Sequence, residues 1–205
     1  MTMNDGMTDG MTDGKKDLAP ERLFTAVRLS PELRGAVGGM CRRLSRELSF
    51  SKWVHEEDYH ITLQFLGDTD SRAIPALVSA LRKAAADFGP FTLSLREAGV
   101  FGAPAAPRVL WAGLGGETDR LRELQGRIVA ATLPLGFRAE ERAYKPHVTL
   151  ARKYRGEGAF APGQLDELTR EEAALHASWR VNQLVLFATR MHNKPMYDIV
   201  EKITI

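Results

Sequence analysis

Polar and apolar positions alternate along Tyr59-His60-Ile61-Thr62-Leu63-Gln64-Phe65-Leu66, and this period of two predicts a strand. Ile61, Leu63 and Phe65 are expected on its core-facing side, with His60 and Thr62 together on the other. Gly67-Asp68 ends the run, a helical pattern follows from about Ser71 to Phe88, and Gly89-Pro90 stops it. Phe91 to Val100 is extended again. Upstream, Leu23 to Leu29 reads as a strand, and Ser30-Pro31 supplies an N-cap and a first-turn proline for a helix reaching about Leu48. Gly35, Gly38 and Gly39 weaken the early turns of that helix, each by about 1 kcal/mol relative to Ala.

The second half repeats the order. Arg108 to Leu114 is extended, a helix follows Gly115-Gly116 from Glu117 to about Thr132, and a further extended segment centres on His147-Val148-Thr149-Leu150. A helix from about Pro162 to His176 and strands at Val181 to Thr189 and Tyr197 to Ile205 complete the chain. The opening strand precedes the motif by 38 residues in both halves, from Arg22 to His60 and from Val109 to His147. This predicts an α+β fold, bilobal and pseudo-symmetric, with antiparallel-rich sheets lining a central cleft and helices outside. One domain is expected over residues 21–205. Residues 1–20 carry a tandem repeat, Met3-Asn4-Asp5-Gly6 through Met11-Thr12-Asp13-Gly14, too poor in apolar groups to bury a core, and read as a disordered tail.

Composition narrows the chemistry only slightly. With 44% hydrophobic and 26% charged residues and a net charge of +2, the chain reads as an ordinary globular protein, not a duplex binder held by many phosphate contacts. A local basic strip lies between Arg138 and Arg155. The single cysteine, Cys41, forbids an internal disulfide and sits in a helical apolar pattern, which suits packing and a cytoplasmic location. No run of about 20 apolar residues is present to span a bilayer, and the protein is expected to be a soluble monomer.

Two segments of the form His-apolar-Thr-Leu, His60-Ile61-Thr62-Leu63 and His147-Val148-Thr149-Leu150, carry the chemistry. Residues i and i+2 of a strand share a face, so each imidazole sits beside a hydroxyl. Two imidazoles can act as one acid and one base, since an unperturbed pKa near 6.5 makes both protonation states accessible at neutrality. Two threonine hydroxyls can donate to the non-bridging oxygens of a phosphodiester and stabilise charge in the transition state. The spacing matches no zinc motif, and no metal or other cofactor is expected. Further candidates for substrate contact are Gln64, which lies on the motif face by alternation, and Arg152, which reaches that face only across a bulge. Tyr144 and Phe101 could stack a base, with core packing as the simpler reading. His55, His176 and His192 lack a partner motif and read as surface or structural.

The segments Arg22-Leu23-Phe24, Tyr59 to Gly67, Val109-Leu110-Trp111 and Pro146 to Arg152 resemble the two-histidine phosphoesterase superfamily, and within it the bacterial RNA 2′,3′-cyclic phosphodiesterases, also called 2′-5′ RNA ligase-like proteins. The resemblance runs from about Arg22 to the C-terminus. It implies hydrolysis of 2′,3′-cyclic phosphate ends of RNA or nucleotides to 2′-phosphates, with His60 as proton donor and His147 as proton acceptor. The chain departs from the pattern near its end, with Phe187-Ala188-Thr189-Arg190 and Lys194-Pro195-Met196-Tyr197 where a Ser and a Gly-Pro are expected. The same groups permit the reverse, 2′-5′ joining reaction, and a non-catalytic RNA-end binding module is a third reading. The residues leave open whether the substrate is an RNA terminus, a tRNA-splicing intermediate, a cyclic ADP-ribose phosphate or a mononucleotide.

Overall fold

A computed structural model describes residues 19–205, so the expectation of a disordered tail falls almost wholly outside the described residues. Nine strands and four α-helices follow one another: β1 (Glu21–Arg28), α1 (Pro31–Glu47), β2 (Phe50–Trp53), β3 (His60–Thr69), α2 (Ile74–Ala85), β4 (Phe91–Ala103), β5 (Ala106–Gly116), α3 (Thr118–Thr132), β6 (Val148–Tyr154), α4 (Pro162–Thr169), β7 (Ser178–Val181), β8 (Gln183–Thr189) and β9 (Tyr197–Thr204). Local signals account for most boundaries. The Ser30 hydroxyl accepts from the Leu33 N–H at 3.2 Å, capping α1 with Pro31 in its first turn. The expected helix from Pro162 to His176 is instead broken. α4 ends at Thr169, a short 3-10 turn occupies Ala173–His176, and Glu172 between them meets Arg43 of α1 in a two-pronged ion pair.

All pairings are antiparallel, and the strands form one nine-stranded sheet in the order β7-β4-β5-β6-β3-β1-β8-β9, with β2 also pairing with β6. The pseudo-two-fold lies between β3 and β6, which places β1 opposite β5, β8 opposite β4 and β9 opposite β7. The lobes are therefore not the two halves of the sequence. β4 of the first half joins the second lobe, and β8 and β9 of the second half join the first.

The helix-facing side holds a single large core that includes Val37, Met40, Leu44, Ile61, Leu81, Leu95, Leu121, Ile128, Val148 and Leu150. Cys41 belongs to it, and burial pushes its thiol up to about 11, which keeps it an inert packing group. A smaller cluster of Phe24, Ala26, Val185 and Phe187, with Tyr197 against it, lies apart from that core. Among the described residues no helix is long and apolar enough to cross a membrane.

Candidate active site

The two motifs meet at one ladder pair, Ile61 with Val148, the only register position shared by β3 and β6. Both side chains are fully buried and face the helices. Alternation therefore sends His60, Thr62, His147 and Thr149 to the opposite side, two from each strand, in an antiparallel and thus two-fold related arrangement. All four line a cleft of about 730 Å³.

Each imidazole is aimed by its own chain. His60 Nδ1 lies 2.6 Å from the Asp58 carbonyl oxygen and His147 Nδ1 lies 2.7 Å from that of Lys145, so in both motifs the partner sits two residues upstream. A carbonyl can only accept, so Nδ1 carries the hydrogen in each ring and Nε2 is left for the cleft. Aromatic rings wall the pair. Phe24 lies 4.9 Å from His60 and Tyr197 meets it edge-on at 5.1 Å, while Phe101 meets His147 edge-on at 5.0 Å. Burial lowers the His60 pKa to about 4, against the Asp58 carbonyl, which raises it, and with help from the charges of Arg152, His147 and Arg28. His147 is lowered too, by burial first and then by Arg152, with the Lys145 carbonyl opposing.

Asp58, which sequence reasoning passed over, ties this half of the site together. Its carbonyl holds His60, while its buried carboxylate accepts from the N–H groups of Met196 at 2.8 Å and Tyr197 at 3.2 Å. The C-terminal segment is thereby pinned beside the first motif, and the Tyr197 ring is set against His60. Only its position two residues before a motif histidine marks Asp58 in the sequence. Asp58→Ala leaves two backbone donors without their charged acceptor, and unfolding free energy should fall by about 2 kcal/mol. An unchanged denaturant midpoint would show that the carboxylate does not hold the segment.

Bulges decide which neighbours reach the cleft. Between β5 and β6 the register shifts at Leu110/Trp111 of β5, so that Trp111 faces Thr149 and Val109 faces Arg152, with Leu150 of β6 as the extra residue. Val109 and Trp111 share a face of β5, which puts Arg152 beside Thr149 and supplies the bulge that strict alternation lacked. Arg152 lines the cleft. β3 does the same against β1: Ala26 faces Thr62, Phe24 faces Phe65, and Leu63 is the extra residue between Thr62 and Gln64. Phe65, expected in the core, is turned out onto the cleft face and is 56% exposed. These registers also correct the equal spacing read from the sequence, since Ala26 is the counterpart of Trp111 and lies 36 residues before Thr62, against 38 from Trp111 to Thr149.

The remaining candidates divide. Gln64 borders the cleft, but it is buried: its side-chain oxygen accepts from Thr132 Oγ1 at 2.9 Å and its nitrogen donates to the Arg138 carbonyl at 3.5 Å. It ties β3 to the end of α3. Tyr144 borders the cleft through a half-buried ring whose hydroxyl donates to the Thr62 carbonyl at 3.0 Å, and burial raises its pKa. Phe101 lies between His147 and Trp111, 5.0 Å from each ring. Gly99 makes that packing possible, since a Cβ there would fall 2.4 Å from the Trp111 ring. Of the basic strip, Arg142, Lys145 and Arg152 border the cleft. His55 accepts from the Glu57 N–H at 3.3 Å and caps a 3-10 turn. Among the described residues no three His, Cys, Asp or Glu side chains gather into a metal-holding group.

Residues 24–193 match the 2′-5′ RNA ligase superfamily. The chain belongs to that superfamily. It is 40% identical over 177 residues to an RNA 2′,3′-cyclic phosphodiesterase of Geobacillus stearothermophilus, a match covering 86% of this chain and 55% of the relative. It is 38% identical over 157 residues to an RNA 2′,3′-cyclic phosphodiesterase of Bacillus subtilis, covering 76% of this chain and 81% of that one. The chain thus matches about half the length of the first relative and most of the second. The fold matches that of E. coli LigT complexed with 3′-AMP, with a TM-score of 0.72 and 21% identity, covering 91% of this chain and 98% of LigT.

Proposed function

We propose that this superfamily member is a hydrolase that opens 2′,3′-cyclic phosphates at the ends of RNA or of nucleotides, leaving 2′-phosphomonoesters. The observation that carries the reading is the Ile61–Val148 pair, which sets two His-x-Thr units on one face in two-fold relation with both Nε2 atoms free. In-line displacement at phosphorus needs a base on the attacking side and an acid on the departing side, and a two-fold pair of imidazoles offers one for each. Water attacks phosphorus as its proton passes to His147 Nε2. The bond from phosphorus to O3′ breaks as His60 Nε2 delivers a proton to that oxygen. The hydroxyls of Thr62 and Thr149 donate to the non-bridging oxygens, and Arg152 adds positive charge beside them. The names of the relatives support the substrate class, since both are RNA 2′,3′-cyclic phosphodiesterases. A cytoplasmic monomer fits a chain with one cysteine and a site built within a single sheet.

Phosphorus NMR of the protein with 2′,3′-cyclic nucleotides should show conversion to a 2′-phosphate that survives exhaustive chelation, because acid, base and charge stabilisation all come from side chains. Activity that vanishes with chelator and returns with a divalent cation would sink the metal-free mechanism. Thr62→Val and Thr149→Val keep side-chain shape and remove only the donor. Each should lower kcat roughly 10²-fold with little change in Tm. Wild-type rates in both variants would remove the hydroxyls from the transition state.

A further inference from the structure

Each motif imidazole is held by a carbonyl that lies outside the strand ladders. Asp58 ends a 3-10 turn, Glu56–Asp58, and β3 begins only at His60. Residues 137–147 form neither helix nor strand, and β6 begins at Val148. Strand pairing therefore fixes neither the Asp58 carbonyl nor that of Lys145. Yet the two meet their Nδ1 atoms at nearly the same distance, 2.6 and 2.7 Å.

The residue before each holder supplies the constraint. The Glu57 carbonyl accepts from Arg28 Nη2 at 3.1 Å, and the Tyr144 carbonyl accepts from Arg122 Nη1 at 3.2 Å. Counted back from the histidine, the two arrangements coincide: the third carbonyl upstream takes a guanidinium and the second takes the imidazole. Peptide units are planar, so a single φ and ψ separate the two carbonyls, and a guanidinium on the first limits the swing of the second. Both anchors are themselves braced. Arg28 also donates to the Glu57 carboxylate at 2.9 Å, which accepts from Arg34 at 3.2 Å, and the Arg28 carbonyl accepts from Trp179 Nε1 at 3.1 Å. Tyr144 is tied a second time by its hydroxyl, which donates to the Thr62 carbonyl at 3.0 Å.

The pseudo-two-fold does not account for this match. Val27 faces Ile61 and Ala112 faces Val148, so the counterpart of Arg28 is Gly113, where a Cβ would lie 3.3 Å from both the Glu97 carbonyl oxygen and the Trp111 ring. The second guanidinium comes instead from α3. One bond reached from two unrelated positions reflects a demand common to both motifs. We propose that Arg28 and Arg122 are positioning residues, each fixing the carbonyl that orients one motif imidazole, so that both Nε2 atoms are aimed into the cleft. Its catalytic consequence rests on the hydrolytic reading above. An imidazole whose Nδ1–H loses its acceptor can turn, or carry its hydrogen on Nε2, and then presents the wrong angle or the wrong atom to the reaction.

Nitrogen NMR of the imidazoles at about pH 8, where both rings are neutral, reads this placement without turnover. In the wild type both rings should carry their hydrogen on Nδ1. Arg122→Met should move His147 toward a mixture of tautomers and leave His60 unchanged, and Arg28→Met should do the reverse. Arg122→Lys, whose ammonium can donate to the same carbonyl, should restore the wild-type signals. Each Met variant should lose roughly 10- to 100-fold in kcat on 2′,3′-cyclic AMP with KM little changed, the order by which a misplaced group slows a reaction. On an activated aryl phosphodiester, Arg122→Met should add nothing to His147→Ala and keep its full loss in His60→Ala, because a residue that acts through His147 is silent once that ring is gone. Additive losses in both backgrounds, or a His147 tautomer unchanged in Arg122→Met, overturn the proposal. Arg122 lies on an exposed helix face, so its variants bear on placement and not on folding. The milder Arg28→Gln replaces Arg28→Met if the latter does not fold. Failure of the hydrolytic reading appears differently, as a wild type inert toward both esters, and the NMR arm still decides the roles of Arg28 and Arg122.

Discussion

Replacing His147 with Ala should cost about 10³-fold in kcat/KM on a 2′,3′-cyclic nucleotide and a similar factor on an activated aryl phosphodiester, whereas His60→Ala should suffer on the first substrate and regain most of its loss on the second. The asymmetry follows from the work the proposed mechanism assigns to each imidazole. A ribose oxygen leaves as a poor alkoxide unless a proton arrives as its bond breaks, and that transfer is typically worth 10²- to 10⁴-fold. A phenolate of low pKa leaves unaided, so an acid is dispensable there. The nucleophile is water in both cases, and the base that deprotonates it is needed in both. The structure makes the comparison a fair one, because the two imidazoles are held by the same device, a carbonyl two residues upstream, at 2.6 and 2.7 Å. Neither is better oriented than the other. Steady-state rates of both variants on both esters decide the assignment, and rescue of His147→Ala in place of His60→Ala would exchange the roles.

The sequence carried the motifs and the element order because both rest on local patterns. Strand alternation from Tyr59 to Thr62 and the Ser30-Pro31 cap are written within a few residues and reappear in β3 and α1, whereas α2 ends at Ala85, ahead of the Gly89-Pro90 stop. What lay beyond it is nonlocal. Phe65 reads as a core residue by alternation, and only the ladder to β1 reveals that Leu63 is extra and the parity reversed. Arg152 is the mirror case, excluded from the cleft by alternation and returned to it by Leu150. The order of elements suggests two successive lobes, yet β8 adds to β1 and β4 to β5, an exchange no window of sequence can show. Asp58 is of the same kind. Its carboxylate meets partners 138 and 139 residues away, so its part in fixing His60 and Tyr197 exists only in the fold.

Between pH 7 and pH 4 the empty protein should lose stability, and an anion in the cleft should restore it. His60 titrates near 6.5 in an unfolded chain, while burial lowers it to about 4 in the folded one. Between those values the unfolded state binds a proton that the folded state refuses. The stability associated with the neutral ring is therefore complete above about pH 6.5 and is lost as pH falls toward 4. At about 1.4 kcal/mol per pKa unit the loss amounts to about 3 kcal/mol, and His147, lowered in the same direction, adds to it. A bound oxyanion reverses the sign at the site, because a negative charge beside each imidazole favours its protonated form. Anion binding must then take up protons, and affinity must rise as pH falls from 7 to 5. Sulfate is the suitable probe, since its own charge does not change over this range. Unfolding midpoints of the wild type and of His60→Ala, each with and without sulfate, read both effects. The variant should show a shallower acid decline and a weaker pH dependence of sulfate affinity; identical slopes in the two proteins would mean that His60 titrates near its ordinary value. The same linkage bears on turnover. In the proposed mechanism His60, held neutral in the free protein, would acquire its proton as the anionic substrate arrives, so the protonated donor would form with the complex and be scarce without it.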